Sequence, residues 1–226
     1  MKTIEQIFGA SKIVPGATLE DPVVALAVAE ALLEANVTAI SLRILSRNSL
    51  KSLELITKEL PEMMVGAGGV MDAAGFLNAS IAGAKFISSP GCTSELFTAA
   101  RTRYNDAHFL PGVLTPTQVM EVMTRGINIM NIFPAEALNG YELAKTYEHA
   151  FPLAKFGMVG GITIDNMGKY LELPNVIAVS LSSITDASLV AKQDYLEIRR
   201  RSEEAISIAK SVLVKAHVQD TLRDII

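Results

Sequence analysis

Among 226 residues, the positions whose types and spacing could do chemistry are few. In "AISLRIL", residues 39–45, Ser41, Arg43 and Leu45 alternate, so on an extended strand they share one face. If that face turns into a folded interior, Arg43 carries a permanent guanidinium there. An unpaired buried charge costs several kcal/mol, so it calls for a protein carboxylate, a carbonyl cluster or a bound anion. In "INIMNIFPAE", residues 127–136, one amide, Asn131, interrupts an apolar run that reads as a buried strand entering a helix. Gly160-Gly161 and Ser182-Ser183 follow two later strand-like runs, and paired glycines before a helix can offer backbone N–H groups to a phosphate. The simpler reading of the glycines is a tight turn.

Other reactive types are poorly placed. Cys92, the sole cysteine, cannot form an internal disulfide or a Cys-based metal site, and a catalytic thiol would want a histidine or lysine beside it. It reads as a small apolar side chain in the turn after "SSPG". His108 falls near the beginning of a strand, too low to reach it, and His149 and His217 fall in helical patterns as surface residues. Three scattered histidines give no metal-ligand spacing, so neither metal nor cofactor is expected. Lys85 and Lys155 open strands, ~10 Å or more below the strand ends at ~3.3 Å per residue, and read as rim lysines with solvated tips. Met120, Met123 and Met130 read as core filler.

The elements that would position these residues alternate regularly. Strand-like runs are "SKIVPGAT", "VTAISLRIL", "MMVGAGG", "KFISS", "AHFLPG", the stretch around Asn131, "LAKFGMVGG" and "NVIAVSL", each followed by a helical pattern. Start signals support the helices. Asp21 precedes Pro22 as an N-cap, and Thr115 with Gln118 makes a capping box around Pro116. Eight strand–helix units predict a single (β/α)8 TIM barrel over residues 1–226, with a short N-terminal helix and a long C-terminal helix from about Tyr195. A doubly wound open sheet is the competing arrangement, but no GxGxxG follows the first strand. Barrels of this kind work at the C-terminal ends of their strands. Here those ends are rich in Gly, Pro, Ser and Thr, as loops gripping a small molecule would be.

Composition narrows the partners. Half the residues are hydrophobic, mean hydropathy is +0.32 and net charge is -4, with both signs mixed along the chain. No basic stripe with interleaved aromatics suits nucleic acid, and no apolar stretch suits a bilayer. The N-terminus lacks the apolar segment of a signal peptide, so a cytoplasmic protein is expected. The run Arg199-Arg200-Arg201 before Glu203-Glu204 reads as an ion-paired helical face.

"IVPGAT", "ELPEMMVGAG", "AGAKFISSPG", "LPGVLTPTQVMEVMTRG", "FPAEA" and "VGGIT", in this order and spacing, resemble the 2-keto-3-deoxy-6-phosphogluconate (KDPG) / 4-hydroxy-2-oxoglutarate (KHG) aldolase family over nearly the whole chain. The resemblance implies a (β/α)8 barrel, a homotrimer and metal-independent lyase chemistry on a small oxo acid or sugar-acid phosphate. The family forms a Schiff base between a strand-six lysine and the substrate ketone. The matching position is Asn131, whose amide nitrogen cannot form an imine. The family's acid/base glutamate falls on Ser41, and its carboxylate-binding arginine on Leu45, or on Arg43 if a small gap is allowed. "GAGT" reads "GAGG", ending in Gly69, and the phosphate loop retains Gly160, Gly161 and Ser182. No catalytic residue is therefore matched, while Arg43, Gly69, Pro90, Asn131, Phe133, Gly160, Gly161 and Ser182 are the expected substrate-binding set. Arg43 and Asn131 together would line a pocket for a carboxylate-bearing molecule; the competing arrangement pairs Arg43 internally and leaves the pocket filled. Two functional readings stand, a diverged enzyme of the aldolase family and a non-catalytic binding or assembly homologue, a pseudoenzyme.

Overall fold

The computed structural model describes residues 3–8, 11–102 and 106–223, with side chains described through residue 214; the surface reading of His217 lies outside them. Ten parallel ladder segments form the barrel wall: β1 (Ile13–Val14), β2 (Gly16–Ala17), β3 (Ala39–Arg43), β4 (Met64–Gly68), β5 (Phe86–Ser88), β6 (His108–Leu110), β7 (Gly112–Val113), β8 (Ile129–Ile132), β9 (Lys155–Met158) and β10 (Val176–Ser180). They fall into two five-stranded sheets ordered β1-β10-β9-β8-β7 and β2-β3-β4-β5-β6.

Two prolines explain why ten segments make eight barrel strands. Pro15 lies between β1 and β2, and Pro111 between β6 and β7, and a proline has no N–H to give the ladder. Their carbonyls still join the wall. Pro15 accepts from the Ser41 N–H at 2.9 Å and Pro111 from the Asn131 N–H at 2.9 Å. The sheets therefore meet at these two seams and the (β/α)8 barrel closes.

Helices cover the wall and start where the sequence predicts. Asp21 caps α2 (Pro22–Glu34), accepting from the Val23 N–H at 2.8 Å, and Thr115 with Gln118 forms the capping box of α6 (Pro116–Thr124). Each such cap stabilises by about 1 kcal/mol. The remaining connections run through α3 (Arg47–Glu59), α4 (Ala73–Ile81), α5 (Ser94–Ala100), the short turn Glu136–Leu138, α7 (Gly140–Ala150), α8 (Met167–Leu171) and α9 (Ala187–Lys192). The last helix, α10 (Tyr195–Arg223), carries the arginine run in ion pairs with Glu34, Glu197, Glu203 and Glu204.

Strand alternation divides the core in two. Outward residues such as Ile40, Leu42, Val65, Ile87, Met130, Ile132 and Phe156 join the helices in the main apolar cluster. Inward residues of the lower barrel, Val14, Ala39, Met64, Phe86, Leu110 and Ala178, form a second cluster with Ile4, Ile7 and Phe8 of α1 (Ile4–Phe8). The N-terminal helix thus packs against the barrel's lower interior, where Phe8 meets Phe86 edge-on at 5.3 Å. Above this layer the inward side chains become small or polar, and the apolar fill ends. One expectation fails: Met120 is not core filler. It is 57% exposed, because Val119 and Val122 take the buried stripe of α6 and position 120 turns outward. Met130 is fully buried and Met123 packs partly buried against the main cluster.

Candidate functional site

The upper interior opens into a cavity of about 470 Å³ at the C-terminal ends of the strands. Its size suits a small metabolite. The sequence-derived set Arg43, Gly69, Pro90, Asn131, Phe133, Gly160, Gly161 and Ser182 lies on this one wall, together with Ser41 and Leu45. Ser41 and Arg43 share the inward face of β3, as alternation predicts, and Leu45, two residues past its end, lines the same cavity beside Ile44.

Arg43 is exposed at this cavity, and no carboxylate or carbonyl partner engages it among the described residues. Its stem runs beside Gly69, a residue at φ +74, where a Cβ would lie 3.8 Å from the Arg43 Cγ. The internally paired arrangement is therefore not the one observed. The guanidinium stands ready for an external anion.

Asn131 is held rather than free. It is 6% exposed, and its Nδ2 donates to the Leu110 carbonyl at 3.4 Å. Its backbone pairs with Gly112 on one side and Gly157 on the other. A Cβ at Gly157 would lie 2.3 Å from the Asn131 Oδ1, so the glycine makes room for the amide. Beneath Asn131, Ser41, Ser88 and Ser180 lies a smaller cavity of about 40 Å³, lined also by Phe8, Phe86 and Leu110. Ser41 leans toward β4: its Oγ lies 2.8 Å from where a Cβ of Gly68 would stand.

On the opposite wall, Gly160 (φ +98) and Gly161 (φ +81) adopt conformations that suit glycine alone. A Cβ at Gly160 would press on the Phe133 ring at 3.4 Å, and one at Gly161 would meet the Glu136 Cβ at 2.7 Å. The Gly160 carbonyl accepts from the Glu136 N–H at 2.9 Å, and no carbonyl among the described residues takes the N–H groups of Gly160 and Gly161. Behind this turn, the Glu136 carboxylate accepts from the Tyr170 hydroxyl and pairs with Lys169 at 3.2 Å. The Tyr170 hydrogen bond, with help from Lys169, holds the Glu136 carboxyl below its ordinary range.

Among the described residues, no lysine, carboxylate, histidine or cysteine contributes to the cavity wall. Lys85 and Lys155 stand at the strand starts, and the Lys155 Nζ donates to the Pro174 carbonyl at 3.2 Å. A third lower-rim lysine, Lys12, donates to the Val176 carbonyl at 3.3 Å, and burial, then Lys155, lowers its pKa. Cys92 packs partly buried against the main cluster, with its thiol pKa raised by burial and by Glu121. Among the described residues Arg43 is the single charged side chain of the wall, and a guanidinium there can recognise an anion.

Thr18, Ser88 and Ser89, which fall in the strand ends "PGAT" and "SSPGCT" but were not singled out, also line the cavity, as does Met71, which sequence reasoning missed. Ser88 was findable, being two residues beyond the inward Phe86 on β5. Met71 sits past the end of β4, where period-two alternation no longer applies.

A family model described as KDPG and KHG aldolase matches residues 4–201. The 2-dehydro-3-deoxy-phosphogluconate aldolase of Pseudomonas aeruginosa is 30% identical over 203 residues, covering 90% of this chain and 91% of its own. The KHG/KDPG aldolase of Escherichia coli K12 is 30% identical over 206 residues, with coverage of 91% and 96%. Among solved structures, KDPG aldolase from Legionella pneumophila, with pyruvate captured as a covalent carbinolamine intermediate, superposes with a TM-score of 0.84 at 30% identity. That match covers 92% of this chain and 98% of that one. The 2-keto-3-deoxy-6-phosphogluconate aldolase of Zymomonas mobilis ZM4, with 3-phosphoglycerate, gives a TM-score of 0.83 at 30% identity, covering 92% and 97%.

Proposed function

The chain belongs to the KDPG and KHG aldolase family, and we propose that it uses that family's barrel to bind a small carboxylate-bearing 2-oxo acid without forming a covalent imine. One observation carries this reading: among the described residues the cavity wall offers an unpaired guanidinium, Arg43, and a carboxamide, Asn131, but no primary amine. A carbinolamine such as the one in the Legionella relative arises when an amine adds to a ketone. An amide nitrogen, its lone pair delocalised into the carbonyl, does not add.

In this reading Arg43 takes the carboxylate through charge-assisted, paired N–H bonds, the geometry a planar guanidinium favours. The serine hydroxyls and the Asn131 amide meet the oxo group. Aldol cleavage also needs a group that moves a proton, and a serine at position 41 does not titrate near neutrality. The chain is thus read as a non-catalytic binder built on an aldolase barrel. Assembly as a homotrimer and a cytoplasmic location belong to the same reading.

Borohydride trapping with pyruvate, followed by intact-mass measurement, tests it. The expected outcome is no saturable one-to-one adduct, alongside measurable pyruvate binding by calorimetry that Arg43→Gln weakens. A stoichiometric adduct on any lysine overturns the proposal, and so does the absence of oxo-acid binding.

A further inference from the structure

The cavity's charge inventory and rim narrow the ligand. With Arg43 as the wall's one charged side chain among the described residues, the site matches one negative charge. A phosphorylated sugar acid brings a second anionic group of nearly two charges. Opposite Arg43 the wall offers dipoles only, because the nearby Lys169 is committed to Glu136 at 3.2 Å. The rim is apolar instead. Leu45, Met71 and Phe133 are 63%, 73% and 36% exposed, and they reach the same cavity from the loops after β3, β4 and β8. Three large apolar side chains converging on one opening mark a binding surface rather than scattered exposure. A polyhydroxylated chain laid on them would lose water without gaining partners.

We propose that the cavity takes a mono-anionic 2-oxo acid with an apolar, branched substituent, in preference to a phosphorylated polyhydroxy acid; this rests on the carboxylate-binding reading of Arg43. The carboxylate meets the guanidinium, and the substituent covers Leu45, Met71 and Phe133. Each fully buried methylene is worth a factor of about four in affinity. Three added carbons, half covered by an open rim, then give ~10-fold.

Calorimetry on the full chain with pyruvate, 4-methyl-2-oxopentanoate and 6-phosphogluconate at one ionic strength tests the preference. The branched acid is expected to bind ~10-fold tighter than pyruvate, with 6-phosphogluconate weaker than both. In the double variant Leu45→Ser, Met71→Ser, both exposed positions, the ratio between the two oxo acids should fall to about one. Equal affinities, tightest binding of 6-phosphogluconate, or a ratio that survives the double variant overturns the apolar-rim assignment and leaves the oxo-acid reading standing. If neither oxo acid binds, the proposed function itself fails and this inference falls with it.

Discussion

Replacing Gly157 by alanine asks whether Asn131 is wedged in place. A Cβ at Gly157 would stand 2.3 Å from the Asn131 Oδ1 and 3.5 Å from its Cγ. The amide must therefore retreat by about 1 Å to restore ordinary contact. It has little room, because its Nδ2 is tied to the Leu110 carbonyl at 3.4 Å and the residue is 6% exposed. Breaking that bond and leaving the amide unsatisfied costs about 1–3 kcal/mol, and overpacking costs a similar amount when the neighbour cannot move. Partial relief of each by the other gives ~2–3 kcal/mol, or a Tm lowered by roughly 4–12 °C in a chain of this length. Gly157 is not at positive φ, so the alanine brings no backbone strain of its own. In an Asn131→Ala background the clash is gone, and Gly157→Ala should be neutral or stabilising by about 0.5 kcal/mol through the unfolded chain. Urea unfolding of the four proteins at one concentration measures the coupling, expected near 2 kcal/mol. An equal cost of Gly157→Ala in both backgrounds would refute the claim that the amide is the obstacle.

Arg43→Gln should weaken oxo-acid binding by roughly 10- to 100-fold, the worth of charge-assisted hydrogen bonds, and an unchanged Kd by calorimetry would remove Arg43 from the site. Because no carboxylate, histidine, cysteine or lysine lines the cavity among the described residues, affinity should stay flat between about pH 5 and pH 9, and a bell-shaped profile would reveal an ionising group in the site. Converting Asn131→Lys together with Ser41→Glu should produce a pyruvate–borohydride adduct visible by mass and weak aldol cleavage; neither appearing would mean the pocket has diverged beyond those two positions. Glu197 on α10 has its pKa lowered to about 2 by hydrogen bonds from Arg200 and Arg201. Its folded value lies below the unfolded one, so its contribution is present above about pH 4.5 and is lost as pH falls toward 2. Glu197→Gln should flatten the acid limb of the stability curve, measured as Tm against pH, and an unaltered limb would contradict the pairing.

Period-two alternation carried most of what was legible in the sequence. It placed Ser41 and Arg43 on one face, because inward and outward residues on a barrel strand differ only by parity, whereas Asn131 came into the site set through the family resemblance. Caps at Asp21 and Thr115 fixed helix starts, since their hydrogen bonds are local. What parity could not supply was long-range. Whether Arg43 finds a carboxylate depends on which loops cross the barrel mouth, and nothing near residue 43 encodes that. The breaks at Pro15 and Pro111 follow from the missing N–H, yet which neighbours meet there depends on closure. The burial of Phe8 against Phe86 joins positions 78 residues apart in the chain. Met120 misled because an apolar residue beside a buried stripe looks like part of it until the neighbouring helices are in place.

The same parity explains how such a barrel can carry an amide at position 131 and remain a barrel. The contacts that hold the helices to the wall come from Ile40, Leu42, Met130, Ile132 and Phe156, whose side chains point away from the cavity. Positions 41, 43 and 131 point inward and contribute little to that cluster, so their chemistry can change without disturbing the packing that specifies the fold. A lysine buried at position 131 would carry a desolvation penalty that favours its neutral form. An asparagine that reaches the Leu110 carbonyl pays a smaller one, because its polar hydrogen has a partner. Stability and amine chemistry therefore pull in opposite directions at this residue. An amide at position 131 thus fits this interior, and among the described residues the cavity keeps one guanidinium at its mouth.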